Sequence, residues 1–486
     1  MRLRVHPLLR EVAALFAGQG KQVFLVGGAV RDLILGREAR DWDLATDARP
    51  EEVISLFRSG PRKWPVIPTG IKHGTVTVRY RGRSIEVTTF RTESEYSDGR
   101  RPDAVRFAAS IGEDLSRRDF TMNAAALSLP GGELRDPFDG AGDIKRRIIR
   151  CVGNPGERFA EDGLRPLRAL RFASQLGFKL EAATLEAVPR ALGVSAKVAP
   201  ERVRDEFDKI IASPKPSAAL VLMEKTGLLE LFLPELAACR GIEQRGFHRF
   251  DVLDHSLAAC DYAAFRSMPR QVRLAALFHD IGKPLVRKRR GPGHGLHTAD
   301  TGAIGTEAAG MDAAGPDTGW TFYQHERESV RLTRDILVRF RYPNAVTGEV
   351  LHLIAEHMFH YDPAWSDAAV RRFIIRAGEA SLGDLCDLRR ADAYAVAGLE
   401  PAADFLMPMI NRVEAVLAGG RALSLKNLAV DGKDLMEAGI GPGKTMGIIL
   451  RELLEAVVED PELNTRKKLL EIAGNIKKRY EGRQIS

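Results

Sequence analysis

Beyond Gly153-Asn154-Pro155-Gly156 almost every segment carries apolar residues at spacings of three and four, so a sheet has to come from the first 150 residues. Helices are predicted near 157–176, 181–192, 200–212, 216–228 and 252–266, then at 271–279, 325–340, 346–357, 366–395, 401–418, 432–438 and 443–458. Residues 290–319 break the pattern. They are rich in Gly and Ala with little large apolar content, and read as a disordered insertion. The chain ends in a basic helix, Arg466 to Arg483, with Lys467, Lys468, Lys477, Lys478 and Arg479. The first 150 residues mix two patterns. An amphipathic helix is predicted over Leu8–Ala17, and Thr75–Tyr80 and Ser84–Phe90 alternate around Arg81-Gly82-Arg83 as a hairpin. Arg117–Leu129 reads as a helix, and 134–149 as strand and turn. The expected class is α+β, a small mixed-sheet head followed by an all-α remainder.

Within the head, Val23 to Thr46 concentrates the chemistry. A short apolar strand, Val23–Val26, meets the pair Gly27-Gly28, then a helical pattern, Ala29–Leu35, that stops at Gly36, then a second strand, Trp42–Thr46. Glycines let backbone N–H groups approach an anion, and a helix N-terminus is electropositive, so this shape suits phosphate. Arg31 stands in the first turn, within reach of the same anion. Asp41 and Asp43 are two apart and share a strand face. Two carboxylates beside phosphate suit Mg²⁺, which takes one or two carboxylates plus phosphate oxygens. Taken singly, a Gly-Gly pair is an ordinary turn and an Asp-x-Asp pair an ordinary solvated strand end. Their order within so short a stretch is what carries the reading.

Three further groups belong with it. Glu86 lies in the second hairpin strand and supplies a third carboxylate if that strand runs beside Asp41 and Asp43; three acids can hold two Mg²⁺ ions. Arg117-Arg118-Asp119 precedes an apolar stretch, with Asp119 as a candidate N-cap and the guanidinium forks suited to triphosphate, or else simply a solvated helix start. Asp162 and Arg165 are three apart on a predicted helix that also carries Arg168 and Arg171. One acceptor and one donor complement the amino group and ring acceptor of cytosine or adenine, and oppose guanine and uracil. The same spacing equally makes an intrahelical salt bridge.

Gly27-Gly28-Ala-Val-Arg31-Asp32, Arg40-Asp41-Trp-Asp43, Ile85-Glu86-Val-Thr-Thr-Phe-Arg91, RRDFTMNA at 117–124 and EDGLRPLRALRF at 161–172 resemble the ordered motifs of class II tRNA nucleotidyltransferases. These are the CCA-adding enzymes, close relatives of bacterial poly(A) polymerases. The resemblance is strong over about the first 215 residues; Glu201-Arg202-Val-Arg-Asp-Glu206, Val430–Met436, Gly441–Lys444 and Glu459–Asn464 extend it. It implies Asp41 and Asp43 as holders of Mg²⁺ with Glu86 assisting, and Gly27, Gly28 and Arg31 at the triphosphate. It places Arg118 and Asp119 at phosphate or sugar, and Asp162 and Arg165 as the template for C or A, with Arg168 and Arg171 nearby. The loop around Arg100, Arg101 and Asp103 resembles the family's flexible loop, linked to switching from C to A. The implied reaction is attack of the tRNA 3′-hydroxyl on the α-phosphate of CTP or ATP. The implied alternatives are a poly(A) polymerase, or a specialist adding only CC or only A.

Asp254-His255, His279-Asp280 in LFHDIGKP and Asp392 in LRRADAYA resemble the HD superfamily, which implies one divalent metal on His255, His279, Asp280 and Asp392. His325 and His357 are candidates for a second ion or a phosphate. Such a set leaves the metal open among Mn, Fe, Co, Ni and Mg. HD domains usually hydrolyse phosphate esters, so the resemblance implies either a phosphohydrolase activity beside nucleotide addition or a scaffold; a further alternative is a chain that is chiefly a phosphohydrolase, with the head serving to bind RNA.

The expected division is 1–150 as nucleotidyltransferase head, 151–240 as helical neck, 241–400 as HD domain with the insertion at 290–319, and 401–486 as tRNA-binding body and tail. The chain has 486 residues and a formal net charge of +7, which allows an anionic partner without identifying one. Cys151, Cys239, Cys260 and Cys386 are widely spaced, as in a reducing compartment. No apolar run approaches membrane-spanning length, and the basic N-terminus is interrupted by Glu11. A cytoplasmic protein acting on tRNA with CTP and ATP is expected, with its oligomeric state open.

Overall fold

The computed structural model describes residues 2–39, 41–59, 64–68, 70–93, 105–244, 249–289, 320–398, 405–419 and 424–483. The loop around Arg100, Arg101 and Asp103 and the insertion at 290–319 lie outside these residues. The chain divides into two compact units: Met1–Ala238 with Ile336–Tyr342, and Cys239–Asp335 with Pro343–Ser486.

The first unit opens with α1 (Pro7–Ala17), whose first turn is capped by the His6 side chain accepting from Leu8 N–H. In order follow β1 (Val23–Val26), α2 (Gly28–Ile34), β2 (Trp42–Thr46), α3 (Pro50–Ser59), β3 (Val66–Ile67), β4 (Thr75–Tyr80), β5 (Arg83–Thr89), β6 (Arg91–Glu93) and β7 (Val105–Phe107). Then come α4 (Ile111–Ser116), β8 (Ala126–Ser128), β9 (Leu134–Arg135), α5 (Gly140–Arg146), α6 (Pro155–Glu161) and α7 (Arg165–Leu176). Seven strands make one mixed sheet in the order β3-β4-β5-β2-β1-β8-β9. Its one parallel pair is β2 with β5; β1 runs antiparallel to β2.

Alternation sorts the two faces of the sheet. Leu25, Leu44, Trp42, Ile85 and Val87 pack with Leu9, Val12 and Phe16 of α1 and Val53 and Phe57 of α3. Phe24, Val26, Ala45 and Ala126 pack with Phe90 and Leu115 in a smaller cluster. Asp43 falls on the second face, opposite Val26 in the register of β1 and β2. Among the described residues the elements of the remainder are helices apart from short two-residue strands, giving a mixed-sheet head and a helical remainder.

Four expectations need correction. Arg117–Leu129 is not a helix: Thr121–Asn123 is a single 3-10 turn, and Ala126–Ser128 is strand β8. The reason is tertiary, since Ala126 and Leu127 are fully buried against β1. The segment 134–149 contains helix α5. The helix predicted over 157–176 breaks at 162–164, where Gly163 lies against the backbone of Val194 so closely that a Cβ would stand 2.5 Å from the Val194 oxygen. The one predicted over 366–395 is two, Asp367–Ala377 and Leu382–Ala397, parted at Gly378 with φ +74°.

In the second unit, Asp251 caps the helix Val252–Phe265 by accepting from Asp254 N–H at 2.8 Å. Helices Arg270–Phe278, His325–Arg339 (whose residues from Ile336 on belong to the first unit), Asn344–Glu356, Leu382–Ala397, Lys444–Glu459 and Arg466–Arg483 follow it in the chain. The last two share a core of Ile449, Leu453, Val457, Leu469 and Ala473. Arg371, buried, donates from Nε to the Val458 oxygen at 2.7 Å, satisfying a carbonyl at the C-terminal end of Lys444–Glu459. Among the described residues no helix is long and apolar enough to cross a membrane.

Candidate active site and metal centre

In the head, Asp43 and Glu86 are register partners on the parallel strands β2 and β5, both exposed, and Asp41 stands one residue before β2. Register partners on adjacent strands present their side chains to one face. The Asp43 carboxyl is open to solvent yet walled by protein. Desolvation first, and the negative charges of Glu86 and Asp41, raise its pKa above the ordinary aspartate value, while Arg118 pulls it down. Above these acids Gly27 adopts φ +70° and ψ −140°, a conformation that side chains resist. A Cβ there would stand 3.3 Å from Arg118 Nη1 and 3.6 Å from Asp43 Oδ2. Glycine thus brings the chain against one cation and one carboxylate at once.

The arginines are placed by buried acids. Asp114 takes Arg117 at 2.7 Å and Arg118 at 3.0 Å, and although burial opposes ionisation the two guanidinium groups hold its pKa below the usual range. Arg31 pairs with Asp32 at 2.9 Å and donates to Asn123 Oδ1 at 3.0 Å. Asn123 in turn donates to Asp119 Oδ1 at 3.3 Å.

Asp119 does not cap a helix through its side chain. It pairs with Arg168 at 2.7 Å, and against the penalty of burial the Arg168 charge and hydrogen bonds bring its pKa to about 2. Arg168 also lies 3.5 Å from Glu206, and the buried Arg171 lies 2.6 Å from Glu206 with its guanidinium 3.8 Å from the Phe172 ring. Burial lowers Arg171 to about 10 in spite of Glu206. Arg168 and Arg171 therefore tie α7 to Asp119 and to the helix Pro200–Ile211.

Asp162 and Arg165 do not share a helix face. Asp162 is extended, between α6 and α7, and Arg165 opens α7. Arg165 is buried and pairs with Glu161, donating also to the Arg158 oxygen at 3.0 Å and the Arg117 oxygen at 3.1 Å. Asp162 pairs instead with Arg202 at 2.8 Å. Arg202, Asn123 and Gly163 were not assigned roles from the sequence, although the ERVRDE, RRDFTMNA and EDGLR strings contain them.

In the second unit six predicted ligands come together. His255 Nε2 lies 3.2 Å from His279 Nε2 and 3.2 Å from Asp392 Oδ1. Asp280 Oδ2 is 3.4 Å and 3.3 Å from the Nε2 atoms of His255 and His279, while its Oδ1 is 3.1 Å from His325 Nε2. His357 Nε2 completes the set 3.4 Å from His325 Nε2. Donor atoms fall into two tight triples, His255, His279 and Asp392, and Asp280, His325 and His357. Asp280 thus belongs with the second triple while touching the first.

Three of the histidines have Nδ1 against the carbonyl three residues earlier: His279 on Ala276 at 3.0 Å, His325 on Phe322 at 3.0 Å, His357 on Ile354 at 2.7 Å. A carbonyl only accepts, so each Nδ1 donates and each Nε2 is the nitrogen turned inward, the arrangement metal-binding imidazoles use. Burial and the neighbouring His279 and His325 push His357 down to about 3, which keeps it neutral. His279 is raised to about 10, because Asp280 and Asp392 outweigh its burial. A pocket that binds a proton so tightly is short of positive charge, as a divalent-ion site would be. Lys283, which the sequence reading passed over, pairs with Asp280 at 2.6 Å and donates to Gln244 at 2.6 Å. Among the described residues the head carboxylates form no triple as tight as these two.

Family models match three stretches: the poly A polymerase head domain at residues 23–150, the probable RNA and SrmB-binding site of polymerase A at 177–240, and the HD domain at 245–397. A CCA-adding enzyme of Anoxybacillus flavithermus is 50% identical over 218 residues, 45% of this chain and 53% of that one. In that match the chain spans about half the length of the curated relative. A CCA-adding enzyme of Lactobacillus delbrueckii subsp. bulgaricus is 34% identical over 462 residues, 93% of each chain. The crystal structure of Bacillus stearothermophilus CCA-adding enzyme in complex with CTP superposes with a TM-score of 0.68 at 29% identity, covering 99% of both chains.

Proposed function

The chain belongs to the CCA-adding enzyme family, and from that premise we propose that it rebuilds the 3′ end of tRNA, transferring CMP and AMP from CTP and ATP. The observation that carries the reading is the in-register pairing of Asp43 with Glu86 beside Asp41, beneath a glycine turn that touches Arg118. Desolvation and then the Glu86 and Asp41 charges raise the Asp43 pKa, and these residues fit Mg²⁺ brought in with a triphosphate. A divalent ion held there would supply charge neutralisation at the α-phosphate and acidification of the attacking hydroxyl. Asp41 and Asp43 would hold it, with Glu86 assisting.

The chain's own residues do the rest. The Gly27-Gly28 turn leaves room for phosphate oxygens, and Arg118 and Arg31 supply positive charge beside it. Arg168 and Asp119 hold α7 in place; in this reading Asp162, just before α7, meets the base together with Arg165, which turns to it from Glu161. A carboxylate acceptor beside a guanidinium donor matches cytosine and adenine and opposes uracil and guanine. The basic helix Arg466–Arg483 would meet tRNA phosphates. A cytoplasmic setting follows from that substrate.

The HD cluster fits divalent metal on His255, His279, Asp280 and Asp392, with His325 and His357 toward a second ion. It supports a phosphohydrolase activity separate from nucleotide addition. The test of the main reading supplies tRNA lacking its 3′ end together with CTP and ATP. Addition of both nucleotides is the expected result, and long A tails on generic RNA with CTP ignored would favour a poly(A) polymerase.

A further inference from the structure

The carboxylate assigned to base reading has a partner that its own helix does not supply. Asp162 Oδ1 accepts from Leu164 N–H at 3.0 Å, and Oδ2 lies 2.8 Å from Arg202 Nη2 on the helix Pro200–Ile211. Contacts on different oxygens fix both the position and the plane of a carboxylate. The backbone beneath is pinned as well, since Gly163 abuts Val194 and its oxygen accepts from Ser195 Oγ at 2.8 Å. The Nη atoms of Arg165 face Glu161 and the oxygens of Arg158 and Arg117. Arg202 meets the carboxylate through one end of its fork, and its Nη1 is buried without a hydrogen-bond partner.

We infer that Arg202 is a positioning residue for nucleotide selection: through Asp162 Oδ2 it aims the carboxylate that accepts the amino group of cytosine or adenine. The inference rests on the reading of Asp162 and Arg165 as the base-reading pair. A carboxylate held still repels the carbonyl that uracil and guanine present at the same place. Released from Arg202 it can swing aside, and the wrong base is then tolerated. Loss of Arg202 should therefore blunt discrimination more than it slows correct addition.

The experiment measures kcat/KM for CTP and for UTP on tRNA lacking its 3′ end, with thermal melting of each variant. Asp162→Ala is expected to lower the CTP-to-UTP ratio by roughly a hundredfold, the scale on which a lost hydrogen-bonding group relaxes selectivity. Arg202→Ala is expected to lower it at least about tenfold with most CTP turnover retained, since it loosens that same group. Arg202→Lys, which keeps the charge, should recover part of the ratio. The double variant should discriminate no worse than Asp162→Ala alone, as expected when one residue acts through the other. If Asp162→Ala collapses the ratio and Arg202→Ala leaves it at the wild-type value, the role of Arg202 is wrong and base reading by Asp162 stands. If Asp162→Ala itself leaves the ratio unchanged, the base-reading assignment fails and takes the inference with it. A double variant clearly worse than Asp162→Ala would show Arg202 acting on its own, which also overturns the inference. Should Arg202→Ala not fold, Arg202→Gln and Arg202→Lys decide: wild-type ratios in both overturn it.

Discussion

In the head, Asp43 and Glu86 face solvent from two adjacent strands, with a glycine turn above them; in the second unit, His255, His279, Asp280, His325 and His357 are all buried and in contact. The head acids stay loosely grouped, whereas the histidines and Asp280 close into triples. The difference follows from what each site would hold. A metal that arrives with a triphosphate needs an open face and few protein ligands, because the phosphates supply the others. A resident metal needs its ligands preset, and here backbone carbonyls orient the imidazoles before any ion binds.

The largest expected effect separates the two sites directly. Asp43→Ala should cut nucleotide addition by at least about a thousandfold, as loss of a metal-holding carboxylate usually does, while leaving the metal content of the second unit unchanged by elemental analysis. Glu86→Ala should cost less, because that residue assists. Equal losses in the two variants would mean that the acids act as one indivisible set.

His279→Ala should lower divalent-metal retention at least about tenfold, the range seen when a metal-site partner is removed, with tRNA extension little changed. Loss of both together would mean that the two sites are coupled. Chelation sharpens the contrast further. Brief dialysis against EDTA should abolish nucleotide addition, with full recovery on adding Mg²⁺, while metal in the buried cluster leaves far more slowly. Simultaneous release from both would contradict the difference in burial.

How far the sequence carried can be read from the same sites. Asp41, Asp43 and the glycine pair were legible because strand and turn patterns are local. Their pairing with Glu86 needed only that β5 lie beside β2, which the hairpin pattern left open and the sheet supplies. The six HD ligands were found by resemblance, but Lys283 was not, because nothing in one sequence tells a buried lysine from an exposed one. Reading Arg117–Leu129 as a helix failed because burial against β1 overrode an alanine-rich stretch that favours helix in isolation. The helix face that Asp162 and Arg165 were expected to share failed similarly: spacing assumed an unbroken helix, and the close Gly163–Val194 approach at the break joins residues far apart in the chain.

A smaller effect tests the tie between head and α7. The folded pKa of Asp119, about 2, lies below its ordinary value. Its stabilisation is therefore complete above about pH 4, and is lost as pH falls toward 2. Arg168→Met should remove about 2 kcal/mol from stability at neutral pH and flatten the dependence of unfolding on acid over that window, measured by urea denaturation between pH 7 and 2.5. A variant that keeps the wild-type slope would show that Arg168 is not what holds the Asp119 carboxyl down.

The most direct measurement of the central claim is sequencing the products made from tRNA that ends before its last three nucleotides, using the wild-type chain and the Asp41→Ala, Asp43→Ala double variant with CTP, ATP and Mg²⁺. The two-strand carboxylate site predicts C, C and A in order from the wild type and no extension from the double variant. Unimpaired extension by the double variant would contradict it.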